Sequence, residues 1–323
     1  MGGAARAGAG LVGAIAVAVA FASCSPNDPP GGEGRLSIAT GGSGGVYQVY
    51  GGGLAEVLTD ELPDSPTTAE TTSASVDNLL LVADGESDIA FTLGDTAIDA
   101  VRGDEAFPRK EPLRALGTIY SNITQVVVKA DSGIESIEDL KDKTVSVGAP
   151  NSGTEIIALR MMKVAGLDPD EDIHKRGLGV GESAQAIRDG SIDAFFWSGG
   201  VPTAAITDLS TTDDIRILPT DKYLEGLRDE YGEAYQEGEI DGGEYAGVDD
   251  PVKTVGVPNL LMVSSDMSDD LAFDITKALY DNKKRLTEVV PSAGKLDPKT
   301  GKKLISPVKM HPGAQRFYDE AGG

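Results

Sequence analysis

The chain has 323 residues, with 28 Lys plus Arg against 52 Asp plus Glu and a formal charge of −24. That balance excludes a nucleic-acid binder and a protein that adheres to anionic lipid by charge, since both need a basic surface. One cysteine and two histidines are too few for an internal disulfide, a zinc site or a catalytic triad. An anionic ligand is still admissible, because surface charges act over about 8 Å at physiological ionic strength and local donors in a cleft dominate.

Residues 1–23 carry one charge, Arg6, and an apolar run too short to span a bilayer as a mature helix, so they read as a secretory signal peptide. They end Phe21-Ala22-Ser23-Cys24, and the polar, proline-bearing residues that follow have no packing signal. This resembles a bacterial lipobox, in which Cys24 becomes the lipid anchor and residues 24–34 a flexible tether. The alternative is a soluble secreted protein with an ordinary cleavage site.

Residues 36–62 read as a strand, a glycine loop and a helix in succession. Leu36 and Ile38 fit a buried strand, and Val46, Tyr50, Leu54, Val57 and Leu58 recur at helical spacing. Between them lies Gly41-Gly42-Ser43-Gly44-Gly45. A glycine turn lets the backbone approach a ligand closely, and the first N–H groups of a helix have no internal partner, so the loop is suited to an anion. No Gly-Lys-Ser or Gly-Lys-Thr follows, which excludes a P-loop. The Rossmann fingerprint fails because its third glycine position is Tyr47. A small carboxylate fits what remains, and the bland reading is a tight turn alone.

Further along, residues 67–72 form a short β-rich segment, and Ser73-Ala74-Ser75 leads into a serine-capped helix ending at Gly85. Residues 88–91 read as a strand with Thr92, Leu93, Gly94 and Asp95 beyond its end. Two more strands follow at 113–120 and 124–128, the second a candidate crossing between lobes.

From Asp131 the pattern restarts. A strand at 144–147 runs into Gly148-Ala149-Pro150-Asn151-Ser152-Gly153-Thr154-Glu155 and a helix through Ala165, with Ser152 and Glu155 spaced as a capping box. Asp84-Gly85 and Asp189-Gly190 each follow a helix and lead into a strand and a glycine, Gly94 and Gly199. The intervals from Gly44 to Gly85 and from Gly153 to Gly190 are similar, so two similar α/β units are expected, their loops facing a common crevice. Trp197, placed after its strand, is expected in the cleft wall beside Gly199 and Gly200, with Pro202 opening another helix. Residues 230–250 look like a solvated excursion, and residues 167–172 lack the pattern of a calcium loop, so no metal is expected. Strands at 252–257 and 259–263, a helix over 269–285 and another near 311–320 complete the chain.

Taken together, IATGGSGGVYQVYGGGLAEVL, SVGAPNSGTE, ESAQAIRDGSIDAFFWSGGVPTAAI and KMHPGAQRFY resemble the TAXI family, the solute receptors of one class of TRAP transporters. The resemblance runs from about residue 36 to 318 with the motifs in order. It implies an α/β, two-lobed periplasmic-binding-protein fold of type II with a ligand cleft between lobes. Lobe 1 would comprise residues 35–128 and 252–323, and lobe 2 residues 129–251. It also implies a small organic anion as ligand, glutamate-like or a dicarboxylate, delivered to a TRAP membrane permease by an extracytoplasmic, lipid-anchored monomer. No cofactor, nucleic acid or further membrane contact is implied.

By position the ligand would meet Ser43, Gly44, Gly45 and Tyr47 in lobe 1 and Ser152, Gly153, Thr154 and Glu155 in lobe 2. Gly42, Ser75, Thr92, Trp197, Gly199 and Gly200 flank these loops, and Asp95 matches a recurring family aspartate. Leu93 stands where many members carry glutamine, so ligand identity is not inherited. No arginine lies in these loops, so backbone N–H groups and hydroxyls are expected to hold the carboxylate. A ligand-reading surface sensor is the alternative function. An enzyme on the same fold would have to draw on a carboxylate pair such as Asp95 and Glu155.

Overall fold

The computed structural model describes residues 1–2 and 34–322. The expected signal peptide, the Cys24 anchor and the tether through residue 33 lie outside the described residues.

The first unit runs β1 (Leu36–Ala39), α1 (Val46–Glu61), β2 (Thr67–Glu70), α2 (Ser75–Ala83), β3 (Ile89–Leu93). The apolar stripe of α1 is buried through Tyr50, Leu54, Val57 and Leu58, and all five residues of β3 are buried. Next come α3 (Gly94–Arg102) and β4 (Leu113–Lys129). The second unit repeats the order: β5 (Thr144–Ser146), α4 (Gly153–Val164), β6 (His174–Arg176), α5 (Val180–Arg188), β7 (Ala194–Gly199). It is followed by α6 (Ala204–Ser210), β8 (Ile215–Ile217), α7 (Leu224–Tyr231), β9 (Gln236–Ile240) and β10 (Val252–Ser264). The chain closes with α8 (Asp269–Asp281), α9 (Lys283–Val289), α10 (Pro298–Gly301) and α11 (Pro312–Glu320).

Strand order is β2-β1-β3-β10-β4-β7-β5-β6. In each unit the first strand lies centrally, parallel to the second at the edge and the third inside, and the third pairs antiparallel with a long crossing strand, β10 for β3 and β4 for β7. The repetition in the sequence is thus a repetition of topology, and it produces the two-lobed periplasmic-binding-protein fold. The fourth residue of the second helix ties it to the strands in both units. Asn78 donates to the carbonyls of Thr40 and Phe91, and the Ser183 hydroxyl bonds that of Ser146 at 2.8 Å.

Several sequence expectations are corrected. The strands expected at 113–120 and 124–128 are one strand, β4, and those expected at 252–257 and 259–263 are one strand, β10. Both run through the two lobes side by side: residues 259–263 of β10 pair with β3, while residues 123–128 of β4 pair with β7. Pro258 sits inside β10 next to a register shift, where the missing N–H is tolerated. The serine cap of α2 is absent. Its cap residue is Ala74, at φ 89°, and Ser75 is the first helical residue. The helix expected from Pro202 begins at Ala204, and the one expected over 269–285 breaks at Asn282. Residues 230–250 are not wholly solvated: β9 pairs with β10, and Tyr235 and Tyr245 are buried, single aromatic anchors among acidic residues.

Each lobe has its own apolar core, one joining α1, β3, α8 and α11 and the other joining β5, α4 and β7. Ser268 caps α8, its hydroxyl accepting from the Leu271 N–H at 3.2 Å. Ser268→Ala is expected to cost about 1 kcal/mol in a urea melt, the usual worth of such a cap. Among the described residues no helix is long and apolar enough to cross a membrane.

Candidate ligand site

A cavity of about 530 Å³ lies where the two units face each other across the crossing strands. Its geometry follows from the repeated topology. In a parallel βα arrangement each helix begins beyond the carboxyl end of its strand, so the loops of both units open onto the same crevice. The first turns of α1, α2, α4 and α5 all border the cavity, through Tyr47, Ser75, Gly153 with Thr154, and Val180. Helix N-termini carry free N–H groups and a partial positive charge of roughly half an electron, so the crevice favours an anion.

The floor is a chain of hydrogen bonds crossing from one lobe to the other. The Tyr47 hydroxyl donates to Asn259 Oδ1, Asn259 Nδ2 donates to Asn122 Oδ1 at 2.9 Å, and Asn122 Nδ2 donates to the Ser198 carbonyl at 2.9 Å. Burial pushes the Tyr47 phenol far above its ordinary range, so it stays a neutral donor. Three wall hydroxyls accept backbone N–H groups: Ser75 from Leu93 at 3.1 Å, Ser152 from Glu155 at 3.1 Å and Thr154 from Ser198 at 3.2 Å. Each keeps its own proton for donation. Tyr120 and Ser198 also border the cavity, with their hydroxyl oxygens buried away from it and without a protein partner.

The lobes touch around the cavity. The Val76 N–H donates to the Asn151 carbonyl at 3.2 Å, joining α2 to the loop before α4. Gly153 lies against Leu93 and Ser75, Gly200 against Val46, and Gly45 against the edge of Trp197. Trp197, expected beyond the end of its strand, lies within β7 and borders the cavity from there; it is fixed from behind, its Nε1 donating to Thr203 Oγ1 at 3.0 Å.

Of the residues singled out in the sequence, Gly42, Ser43, Gly45, Tyr47, Ser75, Ser152, Gly153, Thr154, Trp197 and Gly199 border the cavity. Five do not. Gly44 is an exposed turn residue at φ 85°, and Gly200 packs on Val46 outside the wall. Thr92 is buried in β3, its hydroxyl turned to the Leu93 carbonyl. Glu155 completes the loop, its carboxylate accepting the Asn151 N–H at 2.8 Å, so it is a capping residue.

Asp95 is the largest displacement. It opens α3, a helix the sequence reading did not separate from the strand end, and points away from the cavity into a buried ion cluster between the lobes. Arg160 of α4 reaches Asp99 of α3 at 2.7 Å and Asp95 at 3.8 Å, and Tyr235 donates to Asp95 at 2.9 Å. The guanidinium also lies over the Tyr231 ring, 4.5 Å from its centroid. Burial pushes Asp95 upward and Asp99 up to about 6, outweighing the pull of the Arg160 guanidinium in the other direction.

The sequence reading also missed Tyr120, Asn122 and Asn259, which lie on crossing strands whose alternation marks only buried faces. The α5 turn at residues 179–182 was missed as well. Its signal was present, since Gly179 and Glu182 occupy in the second unit the place of the α2 start in the first.

The chain belongs to the NMT1-like family, which it matches over residues 38–322. Among solved structures, a protein of Bordetella bronchiseptica RB50 is similar with a TM-score of 0.57 and 14% identity, over 90% of this chain and 98% of that one. A Xanthomonas citri protein bound to ATP is similar with a TM-score of 0.52 and 13% identity, over 88% of this chain and 98% of that one. The periplasmic aliphatic sulphonate binding protein SsuA of Escherichia coli has a TM-score of 0.49 and 16% identity, over 88% of this chain and 82% of that one.

Proposed function

We propose that this member of the NMT1-like family is an extracytoplasmic solute receptor that closes its lobes on a small organic anion and delivers it to a membrane permease. The resemblance to TAXI receptors implies a TRAP-type permease, a glutamate-like or dicarboxylate ligand and lipid anchoring through Cys24. The observation that carries the receptor reading is the convergence of four helix N-termini, two from each unit, on one cavity between lobes.

In this reading the turn N–H groups and wall hydroxyls donate to the carboxylate, in charge-assisted bonds that are shorter and stronger than neutral ones. Without the anion, partly positive helix ends from opposite lobes face each other, so the ligand itself favours closure. The reading is of a binding protein rather than an enzyme, and it is supported by Asp95 and Glu155, the carboxylate pair expected of an enzyme on this fold, being engaged outside the cavity. A thermal-shift screen of carboxylates with calorimetry tests the proposal. A true ligand at 100 times its Kd adds about 2.7 kcal/mol and raises Tm by several degrees. Trp197 fluorescence should change with the same midpoint, since its ring borders the cavity. A broad panel that produces no shift would sink the receptor reading.

A further inference from the structure

We propose that Thr203, Gln125 and Tyr245, none of which borders the cavity, are positioning residues that hold the Trp197 indole as the stop against which the start of α1 closes. This deepens the receptor reading and rests on it. Trp197 is the only tryptophan of the chain and is half-buried on the cavity wall. Its ring spans the space between two glycines from opposite lobes. A Cβ at Gly199, two residues on in β7, would fall 2.2 Å from Nε1, and a Cβ at Gly45, the cap of α1, would fall 3.4 Å from Cη2. The pyrrole edge therefore lies over the strand that carries it, and the benzene edge faces the opposite lobe. A ring with one side open to a cavity lacks packing there to choose its rotamer, so its position depends on what holds it from behind.

The network behind the ring is complete. Thr203 Oγ1 accepts from Trp197 Nε1 at 3.0 Å and from Gln125 Nε2 at 3.3 Å, and it donates to the Gly200 carbonyl at 2.6 Å. A hydroxyl has one proton and two lone pairs, so this oxygen is saturated. The Tyr245 hydroxyl closes the circuit, accepting the Thr203 N–H at 2.8 Å and donating to Gln125 Oε1 at 2.7 Å. Burial pushes the Tyr245 phenol upward, so it keeps the proton that it donates. Gln125 stands opposite Trp197 in the ladder of β4 with β7, Thr203 stands just before α6, and Tyr245 reaches in from the acidic residues 241–250. Gln125, Thr203 and Tyr245 are 0%, 4% and 1% exposed. A fully satisfied buried polar network specifies one arrangement, and a side chain ordered before binding does not have to be ordered at the expense of affinity.

The test is time-resolved fluorescence anisotropy of the full chain without ligand, with Trp197 as the sole tryptophan emitter, together with calorimetry of glutamate, glutarate and 3-phenylpropanoate. Thr203→Val and Tyr245→Phe should each add a fast decay component, on the nanosecond scale of a freed side chain, that the wild type lacks. Gly199→Ala, whose methyl group displaces the indole directly, supplies the signal of a dislodged ring. Tyr223→Phe removes another buried hydroxyl, one bonded to Glu138, and should leave the decay unchanged, which separates positioning from a general loss of stability. A carboxylate that binds the wild type should bind Tyr245→Phe about 10-fold more weakly, roughly the cost of ordering one side chain. A wild-type decay in both network variants overturns the inference, and so does a freed indole with unchanged affinity; either leaves the receptor reading standing. A freed indole in a protein that binds none of the three probes and nothing in the wider carboxylate panel overturns the receptor reading and the role of stop, and leaves the three residues as what holds the ring.

Discussion

Replacing Arg160 with methionine is expected to cost about 3–5 kcal/mol of stability, the usual loss when one partner of a buried ion cluster is removed. Arg160 is 4% exposed and, among the described residues, is the sole cation in contact with Asp95 and Asp99, with Glu105 at 3.9 Å on the same guanidinium. Methionine fills much of the space but leaves two buried carboxylates unpaired. Because α3 belongs to the first lobe and α4 to the second, the cluster is also a tie between lobes. Urea melts check the energy, and small-angle scattering checks whether the lobes part. A loss below 1 kcal/mol would show that the cluster is solvated and carries little.

The cluster has a pH signature of determinate sign. In the folded chain Asp99 is pushed up to about 6, chiefly by burial, while an unfolded aspartate titrates near 3.9. The folded state therefore holds the proton more firmly. Its contribution is full below about pH 4 and is lost as pH rises through about 6. Glu138 has the opposite sign: hydrogen bonds from Tyr223 and Lys222 outweigh its desolvation and hold it down at about 2, so its contribution is lost in acid. Asp99→Asn separates the two. The difference between wild-type and variant stability should change with pH between about 4 and 6, and stay level if Asp99 titrates normally.

The second large effect is on binding. Gly153→Val is expected to weaken the tightest-binding carboxylate by about 100-fold, or roughly 2.7 kcal/mol, with little change in unliganded Tm. A Cβ at Gly153 would fall 2.6 Å from Leu93 Cδ1 and 2.7 Å from Ser75 Oγ, both in the opposite lobe. The added side chain thus clashes only when the lobes are shut, and an open form accommodates it. Calorimetry reads the affinity and a ligand-free melt controls for folding. Unchanged affinity would mean that closure over α4 is not what completes the site.

Both effects lie in places of unequal legibility. The strand, glycine loop and helix of residues 36–62 were readable because a helix start is encoded within a few residues, by apolar spacing and by the turn before it. The same locality made the Ser152 start readable, with its hydroxyl accepting from Glu155 as the capping box requires. Glu155, however, accepts from Asn151 and lies outside the cavity, since a carboxylate near a helix start has several N–H groups within reach and only packing chooses among them.

What the amino-acid order determined by itself is therefore the alternation of elements, the doubling of one α/β unit and the anion-suited turns, all products of short-range geometry. The tertiary structure alone decided which residues look inward. A strand has two faces, and whether Tyr120 and Asn122 meet a core or a cavity depends on the register of β4 against β10 and on how the lobes meet. The same holds for Asp95, one turn of helix away from the site it was expected to serve. Its direction was set by a guanidinium that lies 65 residues later in the chain, at Arg160, and beside it only in the fold.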